Sequence, residues 1–310
     1  MVMNYEKLHA SGELLCRVRE AYRRLAACDL CPHGCGVNRI KNELGICGAG
    51  LKPKIASANV HRGEEPPISG SRGSGTIFLS GCSIKCVFCQ NFPISHFGNG
   101  QLITTRELAA RMLRLQKQQV HNINFVTPTH YLPQILAALW LAIPLGFSLP
   151  IVWNTSGYEK VDALQLLDGI VSIYLPDMKY SDKSTAAQIS SAPDYPQINR
   201  AAVLEMLRQV GHLQVDEDDV ATCGLIIRHL VLPEGKAGSR ETLPWIAETL
   251  GDETHIALMS QYFPAHKAGE IKGLNRPVNH EEYDAAVAAL EEAGLENGWV
   301  QELDDERGAI

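Results

Sequence analysis

The sequence lacks an excess of positive charge and has few aromatic residues. Its net charge is −7, and only 6% of its 310 residues are Phe, Trp or Tyr, whereas 45% are hydrophobic. The acidic balance gives no broad electrostatic footprint for nucleic acid or for an anionic membrane, so we expect a protein or small-molecule substrate. A chain of this length can bury one large α/β core and a smaller appended part.

The N-terminal segment lacks the apolar stretch and cleavage site of a signal peptide, because charges are spread throughout it. The segment from Tyr131 to Trp153 lacks charge and is long enough to span a bilayer. Pro144, Gly146 and Pro150 interrupt it, which favours a buried helix up to about residue 142 and then a strand. We therefore expect a cytoplasmic protein without membrane contact.

Short β-branched runs alternate with helical stretches from residue 76 onward. The predicted strands are TIFLS, INFV, PIVWN, VSIYL, GLIIRHLVL and HIALMS, and helices are predicted over 105–118, from Leu132 and over 198–210. This alternation predicts an α/β fold with a parallel sheet. Right-handed crossovers and polar residues after each strand favour a partial (β/α)6 barrel, with a doubly wound open sheet as the alternative.

Helix signals and composition divide the chain into three predicted parts: 1–75, 76–265 and 266–310. Thr105 is a candidate cap of its helix. Asn279 and Glu282 form a predicted capping box for a helix that Gly294 ends. The acidic tail from Glu302 is expected to be solvated.

Seven of the nine cysteines fall into two tight groups. This grouping is typical of metal binding in a reducing compartment and not of a disulfide framework. The two remaining cysteines, Cys16 and Cys223, are interpreted as buried thiols.

Three cysteines form a CxxxCxxC pattern directly after the strand TIFLS. This cysteine triplet consists of Cys82, Cys86 and Cys89. Three thiolates are one fewer than a closed metal site needs, whereas a three-cysteine [4Fe-4S] cluster leaves one iron open to bind another molecule. A zinc clip, a ferredoxin-like ligand set and a chance grouping are the alternatives.

The other four cysteines form the N-terminal cysteine group, which consists of Cys28, Cys31, Cys35 and Cys47. Four thiolates at these separations can close around an ion or a cluster, and nearby glycines allow the tight turns. Zinc and a second iron-sulfur cluster both remain open. His33 is an alternative ligand in place of one cysteine, and a histidine at the surface of a turn is the favoured interpretation.

Two segments connect this group to the predicted barrel. A helix over residues 13–27 has an apolar face that we expect to pack against the barrel. The Gly-rich stretch 68–75 resembles a phosphate loop only superficially, because no GK[ST] follows it, and it is interpreted as a flexible boundary.

The triplet, with an aromatic residue just before its last cysteine, resembles the radical S-adenosylmethionine (SAM) superfamily. The resemblance implies that the open iron binds SAM and that one electron from the reduced cluster cleaves it. The resulting 5′-deoxyadenosyl radical then abstracts hydrogen from a substrate. It also implies a partial barrel, a low-potential electron donor such as flavodoxin or ferredoxin, and contact of Phe88 with adenine.

Segments from NINFVTPTH to LENGWVQ resemble the pyruvate formate-lyase activating enzyme-like group of that superfamily. The segment Asp177 to Lys179 resembles an Asp-x-Lys that binds SAM, and RHLVLP from Arg228 resembles a corresponding segment. Where the group has a GGE-type loop, this chain has VTPTH, so Thr127, Thr129 or a carbonyl group is the candidate substitute.

The candidate SAM contacts follow the predicted strands, where barrel enzymes place their active sites. Lys179 and Arg228 are candidates for the SAM carboxylate, and Asp177 for the ribose or the amino group. Asn154 and Ser156 can supply neutral hydrogen bonds.

Three functional hypotheses follow. The first is a radical SAM oxidoreductase that acts on a protein or peptide, with a glycyl-radical enzyme as one candidate. The second has the same radical acting on a small molecule or RNA. The third is a metal-stabilised binding or electron-transfer protein without SAM chemistry.

Overall fold

The computed structural model describes residues 3–303. Within that range the α-helices are α1 (Asn4–Ala10), α2 (Glu13–Arg23), α3 (Pro66–Ser69), α4 (Phe92–Ser95), α5 (Thr105–Lys117), α6 (Leu132–Ala142), α7 (Val161–Leu164), α8 (Lys183–Ser190), α9 (Tyr195–Val210), α10 (Ser239–Leu250) and α11 (His280–Glu292). Most of the acidic tail, residues 304–310, lies outside the described residues.

The strands of the described range belong to one sheet. They are β1 (Lys54–His61), β2 (Ser74–Leu79), β3 (Gln101–Leu102), β4 (Ile123–Val126), β5 (Ile151–Thr155), β6 (Ile173–Pro176), β7 (Gln214–Val215), β8 (Ala221–Leu230), β9 (His255–Met259) and β10 (Gly298–Val300).

The sheet has a parallel centre and an antiparallel edge. Its order is β10-β9-β8-β6-β5-β4-β2-β1-β3, with β7 paired to β8. The strands from β2 to β10 along this path are parallel, whereas β1 pairs antiparallel with both β2 and β3. The predicted α/β class with a partial barrel of parallel strands is confirmed. The antiparallel edge was not predicted.

Side chains that alternate along the strands divide the sheet into two faces. One face packs in the main core with residues such as Trp153 and Tyr174. The other face begins with a small apolar cluster that includes Val152 and Leu175. Because strand residues two apart share a face, Asn154 and Asp177 follow this cluster on the same side of the sheet. The second face therefore changes from apolar to polar toward the carboxyl ends of its strands.

Capping residues and apolar spacing in the sequence predicted the positions of several helices to within a few residues. The predicted capping box is present, since the Asn279 side chain accepts from the Glu282 amide and Glu282 accepts from the Asn279 amide. The predicted cap at Thr105 is wrong by one residue: Thr104 caps α5, because its hydroxyl accepts from the amide of Glu107. Helix α9 begins at Tyr195, three residues before the predicted start.

The two separate cysteines differ from the buried thiols that were expected. Cys16 is exposed, and Cys223 is half-buried. Cys16 lies in α2, whose buried positions include Leu14 and Val18 on the other face of the helix. Cys223 is in the part of β8 that pairs only with the two-residue strand β7, which leaves that part thinly covered.

The Gly-rich stretch 68–75 is also more ordered than a flexible boundary. Ile68 is fully buried in the second apolar cluster, and its carbonyl accepts a 2.8 Å hydrogen bond from Asn122 Nδ2. Gly75 lies in β2 so close to β4 that a Cβ would come within 2.9 Å of Ile123. The three-part division of the chain stays a prediction.

The apolar segment from Tyr131 to Trp153 divides as expected into α6 and β5. Between residues 3 and 303 no helix combines the length and apolar character needed to cross a bilayer.

Candidate iron-sulfur and cofactor site

The cysteine triplet lies on a loop, residues 81–91, between β2 and α4. Cys82 and Cys86 are buried, and Cys89 is half-buried. The amide of Val87 donates to the carbonyl of Ile189 at 2.8 Å, which attaches the loop to the end of α8. Burial raises the pKa of Cys82 to about 12, so the apo site favours the protonated thiol and metal binding must displace its proton.

Two serine hydroxyls contact the thiols. Ser190 Oγ donates to Cys86 Sγ at 2.9 Å, and Ser95 Oγ lies 3.1 Å from Cys89 Sγ. Ser190 in turn shares a 2.6 Å hydrogen bond with Tyr180. Polar contacts of this kind tune the electronic properties of a thiolate that ligates a metal.

The triplet lines a cavity of about 360 Å³ together with residues from the ends of the neighbouring strands. A cavity of this size falls within the range of small-molecule sites. The predicted residues that line it are Cys82, Cys86, Cys89, Thr127, Asn154, Ser156, Asp177, Lys179 and Arg228. Asn91 and Gln261 line it as well.

Asp177 lies between two cations in this cavity. Its carboxylate accepts from Lys179 Nζ on one oxygen and from Arg228 Nε, at 2.8 Å, on the other. Burial opposes ionisation, but Arg228 and Lys179 outweigh it and hold the pKa of Asp177 below its usual value. The three groups therefore form a buried ionised cluster with one more positive than negative charge.

A hydrogen-bonded chain extends from this cluster. Arg228 Nη2 donates to Asn154 Oδ1 at 2.8 Å, and Asn154 Nδ2 donates to Glu64 Oε2 at 3.3 Å. Burial raises the pKa of Glu64, although Arg228 opposes the shift. Glu65 lies beside Glu64; one of its oxygens is 4.0 Å from Arg228 Nε, and the other is buried without a hydrogen-bond partner.

The residues present fit a three-cysteine cluster with SAM beside it. The thiols supply the soft ligands that iron-sulfur clusters require. Lys179 and Arg228 offer cationic donors for a carboxylate. Ser156 lines the cavity, and its hydroxyl is buried without a partner, which leaves a hydrogen-bonding group free for a ligand.

Three residues of the cysteine loop and the VTPTH loop have partners outside the cavity. Phe88 is buried edge-to-face against Tyr262, with ring centroids 5.6 Å apart, and does not line the cavity, so its contact with adenine stays a prediction. The hydroxyl of Thr129 donates to buried Glu159 at 2.6 Å, which leaves Thr127 as the threonine of its loop that lines the cavity. His130 Nε2 lies 2.9 Å from the Ser80 carbonyl.

His61, Glu64 and Phe78 also line the cavity and were missed. His61 and Glu64 come from β1 and the loop after it, and no strand was predicted there. The alternating run KIASANVH over 54–61 was the signal that could have revealed it.

The N-terminal cysteine group is packed against the cysteine loop. Cys28, Cys31 and Cys47 are buried, and Cys35 is half-buried. Burial, with smaller contributions from the other three thiols, raises the pKa of Cys31 to about 12. Over residues 3–303 no three His, Cys, Asp or Glu side chains already surround a position for a single metal ion.

One protein-family model matches part of the chain. A model described as a 4Fe-4S single cluster domain matches residues 69–172, a segment that includes the triplet. This match agrees with the predicted iron-sulfur cluster and does not extend to the N-terminal cysteine group.

Two solved structures are similar over part of the chain. A radical SAM methyltransferase from Sphaerobacter thermophilus has 16% identity and a TM-score of 0.49, with 73% of this chain and 66% of that chain covered. HydG, a maturase of the [FeFe]-hydrogenase, has 12% identity and a TM-score of 0.48, with 73% and 50% covered. Neither similarity assigns a role to a residue of this chain.

A curated relative is similar over most of the sequence. The "Uncharacterized protein MJ0674" of Methanocaldococcus jannaschii is 32% identical over 279 residues, which cover 87% of this chain and 75% of that protein. The chain therefore belongs to the same protein family as MJ0674, and it carries a match to a 4Fe-4S single cluster domain over residues 69–172.

Proposed function

We propose that this chain is a radical SAM enzyme in which the cysteine triplet holds a [4Fe-4S] cluster and the adjoining cavity binds SAM. The observation that carries the proposal is that the three thiols line the same cavity as the ionised cluster of Asp177, Lys179 and Arg228. The 4Fe-4S match over residues 69–172 supports the cluster.

When bound, the reduced cluster would supply the electron that cleaves SAM, and SAM would supply the organic radical that abstracts hydrogen from the substrate. The protein side chains bind SAM and orient it beside the cluster. Burial lowers the pKa values of Lys179 and Arg228, but Asp177 outweighs it and raises them, so both side chains stay charged. These two cations hold the SAM carboxylate. Asp177 fixes both cations in place. Asn154 and Ser156 complete the polar wall.

The substrate proposal is a protein or peptide, with a glycyl-radical enzyme as the first to test. It is supported by the resemblance of the segments around Asp177 and Arg228 to activating enzymes and by the acidic balance of the chain, which disfavours RNA. A flavodoxin or ferredoxin is the proposed electron donor.

Loss of the triplet tests the reaction. Anaerobically reconstituted protein should give a [4Fe-4S]⁺ signal by electron paramagnetic resonance and release 5′-deoxyadenosine from SAM, whereas Cys82→Ala should abolish both. Cys16→Ala is the matched control, since that thiol is exposed and lies outside both groups. Protein that has the cluster signal but never cleaves SAM would favour the electron-transfer hypothesis.

Loss of one cation tests the SAM site. Lys179→Met should weaken SAM binding about tenfold or more, because it removes a charge-assisted contact worth about 1.5–3 kcal/mol. Lys183→Met, which changes an exposed lysine nearby, should leave binding unchanged. Calorimetric titration of both variants measures the difference, and equal affinities would remove Lys179 from the site.

A further inference from the structure

The N-terminal cysteine group has features of a metal centre that are separate from the proposed SAM chemistry. Its turns are closed by backbone hydrogen bonds, with the amide of Gly36 on the carbonyl of Cys28 at 2.9 Å and the amide of Gly48 on the carbonyl of Gly45 at 3.0 Å. Gly45 packs against Cys35, since a Cβ there would lie 2.5 Å from Cys35 Sγ. Two separate turns therefore bring the cysteines together.

A buried guanidinium lies against this group. Arg39 is 1% exposed; its Nη1 lies 3.8 Å from Cys28 Sγ, and its Nη2 donates to the Gly50 carbonyl at 3.0 Å. Its Nε is buried without a partner. In the part of the chain that the structure describes, no carboxylate forms an ion pair with Arg39.

This guanidinium needs a negative partner. Arginine stays charged in proteins, and a buried charge is costly unless an opposite charge or a full set of hydrogen bonds compensates it. Four neutral thiols would not compensate it. A metal centre with four thiolate ligands carries net negative charge, because each thiol gives up its proton on binding.

The group also touches the loop that carries the triplet. The carbonyl of Cys47 lies so close to Gly81 that a Cβ on this glycine would be 2.3 Å from the oxygen. His33 Nε2 lies 2.7 Å from the carbonyl of Ser83. These contacts are on both sides of Cys82, so the arrangement of the N-terminal group affects the position of that ligand.

We propose that the N-terminal cysteine group holds a thiolate-ligated metal centre that Arg39 balances in charge and that holds the loop around Cys82 in place. The ligands are Cys28, Cys31, Cys35 and Cys47. Because these thiols do not already surround a single-ion position, loading includes rotation of cysteine side chains toward one another. Zinc and an iron-sulfur cluster share this ligand chemistry.

The first experiment isolates this centre from the proposed SAM site. The variant with all three triplet cysteines changed to alanine is purified anaerobically, and zinc and iron are measured by elemental analysis. It should retain about one zinc, or about four irons, per chain. Adding Cys28→Ala and Cys31→Ala should remove that metal, whereas adding Cys16→Ala and Cys223→Ala instead should not.

A triplet variant that is folded by circular dichroism, holds no metal and shows no thiolate-to-metal absorption on titration with Co²⁺ or on iron-sulfur reconstitution would overturn the proposal. This outcome is independent of the proposed function, because the variant cannot perform SAM cleavage in any case. If the triplet variant does not fold, the metal content of the wild type is measured in its place. About four irons with one zinc, or about eight irons, per chain would support the N-terminal metal centre. About four irons with no zinc would overturn it.

The second experiment tests the role of Arg39. Arg39→Leu should speed removal of the N-terminal metal by a chelator about tenfold or more, and Arg39→Lys should retain most of the wild-type resistance, since it keeps the charge. Equal rates of metal removal for Arg39→Leu and the wild type would overturn the proposal that Arg39 balances the charge of the metal centre. Metal removal should also raise hydrogen exchange across residues 81–84, and unchanged exchange would overturn the contact with the Cys82 loop.

Discussion

One hydroxyl group reaches a sulfur atom of the triplet from a helix distant in sequence. Ser190 is fully buried at the end of α8 and donates to Cys86, 104 residues before it. A hydrogen bond to a thiolate ligand stabilises negative charge on the sulfur and so favours the reduced, more negative cluster. Ser190 therefore acts as a positioning and tuning residue in the proposed site.

Ser190→Ala should shift the cluster reduction potential to a more negative value while the cluster still assembles. A redox titration followed by electron paramagnetic resonance measures the shift. Ser184→Ala removes an exposed hydroxyl from the same helix and should leave the potential unchanged. An unaltered potential for Ser190→Ala would show that its hydroxyl does not influence the cluster.

At the scale of single elements, α11 depends on a cap that also joins two loops. Glu282 accepts from the amide of Asn279 at 3.1 Å, from the amide of Glu234 at 2.7 Å and from Arg276 at 2.6 Å. These contacts, led by Arg276, lower the pKa of Glu282 to about 2. The carboxylate thus links the helix start to the loop after β8.

The depressed pKa gives a stability that depends on pH. The pKa in the fold is below the ordinary value of 4.5, so the contribution is fully present above about pH 4.5 and is lost as the pH falls toward 2. Glu282→Gln should therefore reduce the unfolding free energy at pH 7 and flatten its decline between pH 4.5 and 2. Urea unfolding at several pH values measures both effects, and parallel curves would contradict the assignment.

The Asn279 cap should make a modest contribution to the unfolding free energy. Asn279→Ala removes the side chain that accepts from the Glu282 amide and should cost about 1 kcal/mol of unfolding free energy. Asn297→Ala, which removes an exposed side-chain hydrogen bond outside the helix, should cost less. Thermal unfolding of the two variants gives the comparison.

At the scale of the whole molecule, one of the contacts between the N-terminal segment and the barrel is at Gly81. Gly81 has a φ of +87°, and the Cys47 carbonyl fills the place of its missing side chain. Gly146 has the same φ of +87° but nothing within 4 Å of a built Cβ. Substitutions at these two glycines therefore distinguish the effect of backbone strain from the effect of the contact between the N-terminal segment and the barrel.

Gly81→Ala should destabilise the protein more than Gly146→Ala, by about 1–3 kcal/mol, since only the first forces a methyl group against a backbone oxygen. It should also reduce the iron bound by the triplet. Chemical unfolding and iron content, measured side by side, test both effects. Equal losses in the two variants would mean that the N-terminal segment can move away from Gly81 at no cost.

Part of the candidate site follows from local pattern. The triplet stands after a strand, and Asn154, Asp177 and Arg228 are in or directly after three others, so their meeting at one edge of a parallel sheet was predictable. Glu64 was not, because it follows the antiparallel strand β1, which precedes the predicted alternation of strands and helices. The orientation of Phe88 against Tyr262 could not be predicted, since spacing gives no information about which way a ring turns.

The six central strands, the two cysteine groups and the polar residues at the strand ends could be predicted from the amino-acid sequence. Period, turn residues and ligand spacing are local properties, and they are written in neighbouring residues. Which distant groups meet is visible only in the folded chain. Glu64 contacts Asn154 across 90 residues, and Cys47 fills the space beside Gly81. Such pairings depend on the packing of the whole chain, because burial and charge compensation are satisfied between elements and not within them.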